Sequence, residues 1–134
     1  MTLHHLLPAT IRKPFAKYSH GVRIEAPSDL IFCSGQLGIG PDDVIPEDAA
    51  AQAELCFANI AVILADGDMK LSDVVRINAY VTERVHMAAY MSVRDRLFPA
   101  PSPASTLMIV GGFTRAVFKI EVEVVAARNS GEVA

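Results

Sequence analysis

The sequence predicts an α+β fold: a single domain of order β-β-α-β-α-β-β, with a mixed sheet and both helices on one face. Two β-rich runs precede an amphipathic stretch that begins near residue 47, an alternating strand occupies residues 75–81, and two further β-rich runs follow a weaker helix. The chain has 134 residues, of which 51% are apolar and 20% charged. That length and composition are typical of one globular domain.

The first two β-rich runs are residues 18–25 and 30–34, and the turn-forming residues 26–29 lie between them. We therefore expect a hairpin here. Residues 1–14 are expected to form a flexible N-terminal arm, residues 15–128 the domain, and residues 129–134 a flexible tail.

The first helix is predicted from Glu47, because apolar residues recur at three- and four-residue steps through Leu64. Pro46 is expected in its first turn and Asp48 at its positive N-terminal end. Gly67 is expected to take the left-handed conformation that ends the helix.

Residues 75–81 alternate apolar and polar side chains, which is the period of a strand with one buried face. A second helix is predicted over residues 85–98, before Pro99, Pro101 and Pro103. The chain is then expected to close with a hairpin of residues 105–113 and 116–126. Tyr80, Val117 and Val125 would lie on the sheet face that no helix covers, so the pattern predicts association with further copies of the chain.

Composition limits the function. A net charge of −3 and an isoelectric point near 5.7 argue against nucleic-acid binding, which needs clustered basic residues. Cys33 and Cys56 lie in apolar stretches without metal-ligand spacing, so we expect buried thiols and no metal. With neither a signal-peptide pattern nor a long apolar run recognised, we expect a cytoplasmic protein without a membrane partner.

Glu121 and Glu123 lie two residues apart on a predicted strand and therefore point to the same side. With Lys119 beside them, their role could be limited to ion pairs between neighbouring strands. They could also line a pocket, where a carboxylate can hold and orient a water molecule. The Ser34-Gly35-Gln36 segment is a candidate pocket wall, since glycine lets backbone groups approach a ligand closely.

Several segments together carry a resemblance. They are Tyr18 to Val22, Phe32 to Gln36, the helix through residues 51–60, residues 74–81, Pro103-Ala104 and Lys119 to Glu123. On these the sequence, over about residues 15–127, resembles the Rid family of reactive-intermediate deaminases, the YjgF-type proteins also labelled L-PSP endoribonucleases. The resemblance implies a chorismate-mutase-like fold, a homotrimer, and small-molecule clefts between subunits.

The resemblance also implies hydrolysis of an imine or enamine to a carbonyl compound and ammonia, without a cofactor. Glu121 then matches the catalytic acid that positions the attacking water. Gly35 matches a backbone contact to the ligand, and Tyr18 matches the tyrosine that closes the cleft.

Ser105 departs from the family pattern, because members that deaminate 2-aminoacrylate carry arginine there to bind the substrate carboxylate. Ser105 and Thr106 could instead hydrogen-bond a neutral group. Met91 and Leu107 stand where many relatives have polar or smaller residues. We therefore expect a substrate without the carboxylate anchor, and a gain of 2-aminoacrylate activity on Ser105→Arg.

Three residues could replace the missing cation, namely Arg76, Arg115 and His20. A non-catalytic trimer that binds a small metabolite is the alternative function. Ribonuclease or translation-inhibitor activity is the third, which the acidic balance does not favour.

Overall fold

A computed structural model describes residues 3–26 and 28–129 of the chain. The elements are β1 (Leu3–Leu6), β2 (Gly21–Ile24), β3 (Ser28–Leu37), α1 (Ala49–Asp66), β4 (Val74–Val81), α2 (Met87–Leu97), β5 (Ala104–Ile109) and β6 (Ile120–Asn129). Single 3₁₀ turns, Leu71–Asp73 and Arg84–His86, precede β4 and α2.

The main sheet has four strands in the order β3-β6-β4-β5, and β1 and β2 form a separate two-stranded ribbon. β6 runs antiparallel to both of its neighbours, whereas β4 and β5 are parallel, so the sheet is mixed. α1 packs on β3 and β6 and also contacts α2, which puts the helices on one face. The predicted α+β class with two helices is confirmed.

Both predicted hairpins are wrong. β2 pairs with β1 rather than with β3, and β5 pairs with β4 rather than with β6. Because β4 and β5 are parallel, the chain must cross over between them, and α2 makes this crossover. β6 then lies on the other side of β4, between β4 and β3. The alternation of apolar residues identifies a strand and its faces, but it does not choose the partner strand.

The N-terminal segment is more ordered than the sequence suggests. Residues 3–6, expected to belong to a flexible arm, form β1, and His4 Nε2 lies 3.0 Å from Glu25 Oε1 beside β2. At the other end, Asn129 is the last residue of β6, and the rest of the predicted tail lies outside the described residues. Pro27 of the predicted turn also lies outside them.

α1 begins at an N-cap, Asp48, whose Oδ2 accepts a hydrogen bond from the Ala51 amide at 3.0 Å. Pro46 lies ahead of the helix and not in its first turn. Gly67 ends α1 but has φ −102°, and Asp68 takes the left-handed conformation with φ 60°. A Cβ at Gly67 would lie 2.4 Å from Ile31 Cδ1, so close packing on β3 accounts for the glycine.

Gln52 is fully buried in the second turn of α1. Its amide nitrogen donates to the carbonyl oxygens of Pro46 and Val117, each at 2.8 Å. Its amide oxygen accepts from the Lys119 backbone amide, also at 2.8 Å. Backbone groups from two segments far apart in sequence, one before α1 and one just before β6, therefore meet at one side chain.

Within residues 3–26 and 28–129, α1 is the one helix long and apolar enough to cross a membrane by length and composition. The sequence reading overlooked this stretch. The core helix of a soluble protein passes the same test, and six residues of α1 are buried against the rest of the chain.

The sheet face opposite the helices, here called the open face, carries exposed apolar side chains. Phe32 is 75% exposed, Met108 50% and Leu30 49%. Tyr80 and Val125 lie on the same face and are half-buried, whereas Val117 lies in the turn before β6 rather than in the sheet. The predicted uncovered apolar face is therefore present, with Phe32 as its most exposed aromatic residue.

Replacing Gln52 by methionine tests its role, because the apolar side chain has similar length and cannot bond the three backbone groups. We expect the free energy of unfolding to fall by about 3 kcal/mol or more, since each buried unpaired group costs about 1–3 kcal/mol. Urea denaturation measures the change. Val62→Met, at an α1 position that is 71% exposed, is the control and should stay within about 0.5 kcal/mol of wild type. Equal stability of the two variants would contradict the role.

Candidate functional site

The structure brings Glu121 and Gly35 together on the open face. The β3–β6 register shifts between Cys33 and Gln36, so this part of β3 bulges beside β6. A Cβ at Gly35 would lie 2.7 Å from Glu121 Oε1 and 2.9 Å from its Cδ. The carboxylate therefore rests directly over the Gly35 backbone, in space that any other residue at this position would fill.

The two glutamates of β6 differ in their partners. Glu123 Oε1 accepts hydrogen bonds from Tyr80 Oη at 2.7 Å and from Asn78 Nδ2 at 3.3 Å. Among the described residues, none donates a hydrogen bond to Glu121 or forms an ion pair with it. Lys119 instead donates from Nζ to the Glu47 carbonyl oxygen. Glu123 thus has the cross-strand role, while the Glu121 carboxylate is available to a ligand or a water molecule.

Tyr80 was expected on this face, but its hydrogen bond to Glu123 was not. Its pKa lies above the ordinary value, first because Glu123 accepts its hydrogen bond and then because of burial and the nearby carboxylates. The phenol therefore remains neutral and keeps donating to Glu123 near neutral pH. The alternation of β4 against β6 already placed Tyr80 on the face of both glutamates, and that was the available signal.

Arg76 and Thr106 lie on the same open face, at the other end of β4. Arg76 Nη2 donates to Thr106 Oγ1 at 2.6 Å, and its Nε donates to Asn78 Oδ1 at 2.8 Å. Of the three candidate replacement cations, Arg76 is therefore on the face that carries Glu121. Arg115 lies in the exposed segment before β6 over the Phe118 ring, and His20 Nε2 lies 2.8 Å from the Arg12 carbonyl oxygen.

Ser105, Leu107 and Met91 lie on the other side of the sheet. Ser105 pairs in register with Ile77, a fully buried core residue, so its side chain faces the helices. Leu107 and Met91 pack against the same core. The structure thus separates these three predicted site residues from Glu121, Gly35 and Thr106 by the thickness of the sheet.

Tyr18 lies beyond the β5 edge, because the next residue, Ser19, forms a parallel bridge to Ala104. Ala104 pairs with Arg76 of β4, whereas Glu121 pairs with Tyr80, four residues further along β4. β4 and β5 therefore lie between Glu121 and the Tyr18 region. Strand spacing and rise put the two regions roughly 15–20 Å apart. One chain therefore does not bring Tyr18 and Glu121 into a single site.

Cavities border both regions. One of about 530 Å³ is lined by Tyr18, His20 and the N-terminal segment through Leu7, Ile11 and Lys13, and no carboxylate is among its described lining residues. A second, of about 360 Å³, is lined by Tyr18, Ser19 and Asp95. A third, of about 290 Å³, lies on the open face. Its lining residues include Ser34, Asn78 and Glu123.

The cysteines belong to the core. Cys33 and Cys56 are buried free thiols, as the sequence predicts. Burial raises the pKa of Cys56 to about 12, with a further contribution from the Glu121 charge, so its thiolate is not formed near neutral pH. The described residues contain no cluster of three or more His, Cys, Asp or Glu side chains that could hold a metal ion.

Comparison with known proteins assigns the family. The model of the Endoribonuclease L-PSP family matches residues 10–128, which is most of the chain. The chain belongs to this family. Family members are also called Rid or YjgF proteins, and the resemblance noted in the sequence is thereby confirmed.

Two curated Rid relatives align over most of their length. Protein HMF1 of Saccharomyces cerevisiae is 32% identical over 115 residues, covering 85% of this chain and 86% of its own. The 2-iminobutanoate/2-iminopropanoate deaminase of Escherichia coli is 29% identical over 116 residues, covering 84% and 88%. Relatives in the same family thus carry different names, and the one from Escherichia coli is named a deaminase.

A solved Rid structure gives the same fold. The conserved Rid family protein YyfB of Yersinia pestis superposes with a TM-score of 0.80, covering 94% of this chain and 98% of that one. Its sequence identity is 22%, so this likeness shows the fold alone.

Burial raises the pKa of Tyr90, a core residue of α2, and Arg94 and Ser105 lower it by less. Unfolded tyrosine ionises near pH 10. The stability due to a neutral Tyr90 is therefore complete below about pH 10 and is lost as the pH rises above that value. We expect Tyr90→Phe to reduce the alkaline loss by up to about 1.4 kcal/mol per pH unit. Urea denaturation at pH 9, 10 and 11 measures both slopes, and equal slopes would contradict the expectation.

Proposed function

We propose that this Rid protein hydrolyses an imine or enamine metabolite to a carbonyl compound and ammonia, with Glu121 as the catalytic acid. One observation carries the proposal: the Glu121 carboxylate is half-buried, has no hydrogen-bond donor among the described residues, and lies against the bare backbone of Gly35. Glu123, two residues away on the same face, has two donors. The contrast supports a ligand-facing role for Glu121.

The reaction needs little beyond a held water molecule. Water adds to the imine carbon, a proton passes to the nitrogen, and the carbinolamine releases ammonia as its C–N bond breaks and the carbonyl forms. A carboxylate can accept a hydrogen bond from the water and carry a proton between oxygen and nitrogen. Holding water at about 3 Å from the carbon contributes mainly proximity and orientation. No metal or organic cofactor is part of the proposal.

We propose a substrate without a carboxylate group. Position 105, where related deaminases carry arginine, holds a serine whose hydroxyl is inaccessible to solvent. Arg76 is on the same face as Glu121, but its Nε and Nη2 already donate to Asn78 and Thr106. These features favour a neutral substrate over one derived from an amino acid.

The proposed assembly is a homotrimer, in the cytoplasm, with the cleft between subunits. Tyr18 and Glu121 lie roughly 15–20 Å apart within one chain, so a cleft that contains both needs two chains. The exposed Phe32, Leu30 and Met108 supply apolar area for such an interface. Gly35 and Thr106 would then line the cleft on the open face, together with Glu121. Ser105, Leu107 and Met91 would contribute to the cleft from the opposite face of β5, next to α2.

The second candidate is a trimer that binds a small metabolite without transforming it. The observation that favours it is the placement of Ser105, Leu107 and Met91 on the core side, where they offer no polar group to a substrate next to Glu121. Both candidates use the same cleft. They differ in whether Glu121 is needed for turnover or only for binding.

Glu121→Gln separates these candidates, since the amide keeps the shape of the side chain and loses the charge and the basicity. We expect ammonia release from the protein's substrate to fall at least about a hundredfold, which is the usual contribution of a general acid or base. The assay follows ammonia from imines generated in situ by oxidases acting on a panel of amines and amino acids, and it subtracts spontaneous hydrolysis.

Glu123→Gln is the matched control, because it changes the neighbouring glutamate on the same strand face. It should retain most of the activity. Equal losses in the two variants would argue against a specific role for Glu121. Absence of Glu121-dependent release across the whole panel would favour the binding protein.

The trimer is tested by placing a charge on the open face. Phe32→Glu should convert a trimer of about 43 kDa, three times the 14.4 kDa chain, to smaller species, because a buried charge opposes burial of this face. Light scattering after size-exclusion chromatography measures the mass. Val62→Glu, which lies at a 71% exposed position of α1, should leave it unchanged. A wild-type protein that is monomeric at about 100 µM would disprove the assembly.

A further inference from the structure

Two buried hydroxyl groups lie at the junction of α2 and β5. Tyr90 is fully buried on α2, and the Ser105 side chain points from β5 toward the helices. Neither Tyr90 Oη nor Ser105 Oγ is accessible to solvent, and neither makes a hydrogen bond of normal geometry with a described residue. An unpaired buried hydroxyl is costly, so this pair of groups needs an explanation.

Ser105 and Arg94 are side chains that act on the Tyr90 hydroxyl. Burial raises the pKa of Tyr90, while the Arg94 charge and side-chain interactions with Ser105 and Arg94 lower it by less. Each hydroxyl can donate one hydrogen bond and accept others. The two hydroxyls are therefore chemically complementary partners.

The Tyr90 ring has little freedom to move away. It packs against Phe57 with ring centroids 6.0 Å apart and planes at 26°. The Arg94 guanidinium lies 5.8 Å from the ring centroid and is held by Asp95 Oδ1 at 3.0 and 3.1 Å. Both Phe57 and Arg94 are buried. The Tyr90 ring is thus held in place by neighbours that are themselves buried.

We propose that Tyr90 and Ser105 form a coupled pair, in which the two hydroxyls bond each other and the Tyr90 ring excludes any longer side chain from position 105. Tyr90 is then a specificity-determining residue: it keeps an anion-binding side chain out of the α2–β5 junction. This functional part rests on the proposed deaminase activity, whereas the pairing itself does not.

One consequence concerns Ser105→Arg. On sequence grounds this substitution was expected to gain 2-aminoacrylate activity. The position of Tyr90 predicts that the single substitution instead forces a buried charge and extra volume against a fixed ring, which destabilises the fold. A gain should require a smaller residue at position 90 as well.

A hydroxyl double-mutant cycle tests the pairing without reference to activity. Tyr90→Phe and Ser105→Ala should each lower the thermal midpoint by about 3–8 °C, because each leaves the other hydroxyl buried and unpaired. The double variant should lose clearly less than the two single losses combined. Additive losses would overturn the pairing.

A volume exchange tests the exclusion. Ser105→Arg should lower the midpoint by about 5–15 °C or prevent folding. Tyr90→Val combined with Ser105→Arg should recover at least half of that loss or restore a folded protein. Ser105→Met, with similar length and no charge, separates volume from charge and should be rescued in the same way. A stable Ser105→Arg protein, or a failure of Tyr90→Val to rescue either substitution, would overturn the exclusion.

Substrate preference gives a readout that a purely structural role would not change. The ratio of ammonia release from a carboxylate-bearing imine, made from alanine, to that from an imine of a simple amine should rise at least about tenfold in Tyr90→Val/Ser105→Arg. An unchanged ratio, or an equal rise in Ser105→Arg alone, would overturn the specificity role. If wild type hydrolyses no imine, the proposed activity fails, while the two thermal cycles still decide the pairing and the exclusion.

Discussion

The fold depends on the hydrogen bonds of Gln52, which tie α1 to the segment before it and to the segment before β6. A buried primary amide has two donor hydrogens and one acceptor oxygen, and here each of these functions has a backbone partner at 2.8 Å. The partners are Pro46, which lies before α1, and Val117 and Lys119, which both lie just before β6. An apolar residue of the same volume would fill the space but remove the Gln52 partner of all three backbone groups.

A second amide on the same helix extends this arrangement to the candidate site. Asn59 Nδ2 donates to the carbonyl oxygens of Leu37 at 3.4 Å and Ile39 at 3.2 Å, where the chain leaves β3. Gln52 fixes the backbone segment that leads into β6 and Glu121. Asn59 fixes the segment that follows Gly35. The contact between Glu121 and Gly35 therefore depends on polar side chains of a helix on the opposite face of the sheet. A rigid element that positions a site from behind is common among enzymes.

The sequence predicted most of the segments that form helices and strands, but it did not predict which strands pair. α1 and β4 were predicted within a few residues, because each has a clear apolar period. β5 was recognised as a strand but paired with the wrong neighbour, since its parallel position depends on how α2 packs. Gly35 and Glu121 were both singled out in the sequence, but their direct contact was not predicted. The engagement of Glu123 by Tyr80, and the placement of Ser105 away from the open face, depend on the three-dimensional register, which no single-sequence period contains.

The position of β6 at the centre of the sheet also affects how the chain can fold during synthesis. β3 has β6 as its only partner in the main sheet among the described residues, yet more than eighty residues separate the end of β3 from the start of β6. α1 and the local β4–α2–β5 unit can form as they leave the ribosome, whereas β3 waits as an unpaired strand until residue 129 has emerged. Such long-range pairing favours slow folding. β3, which carries the exposed Phe32, is thus the strand of the main sheet that stays unpaired for most of synthesis.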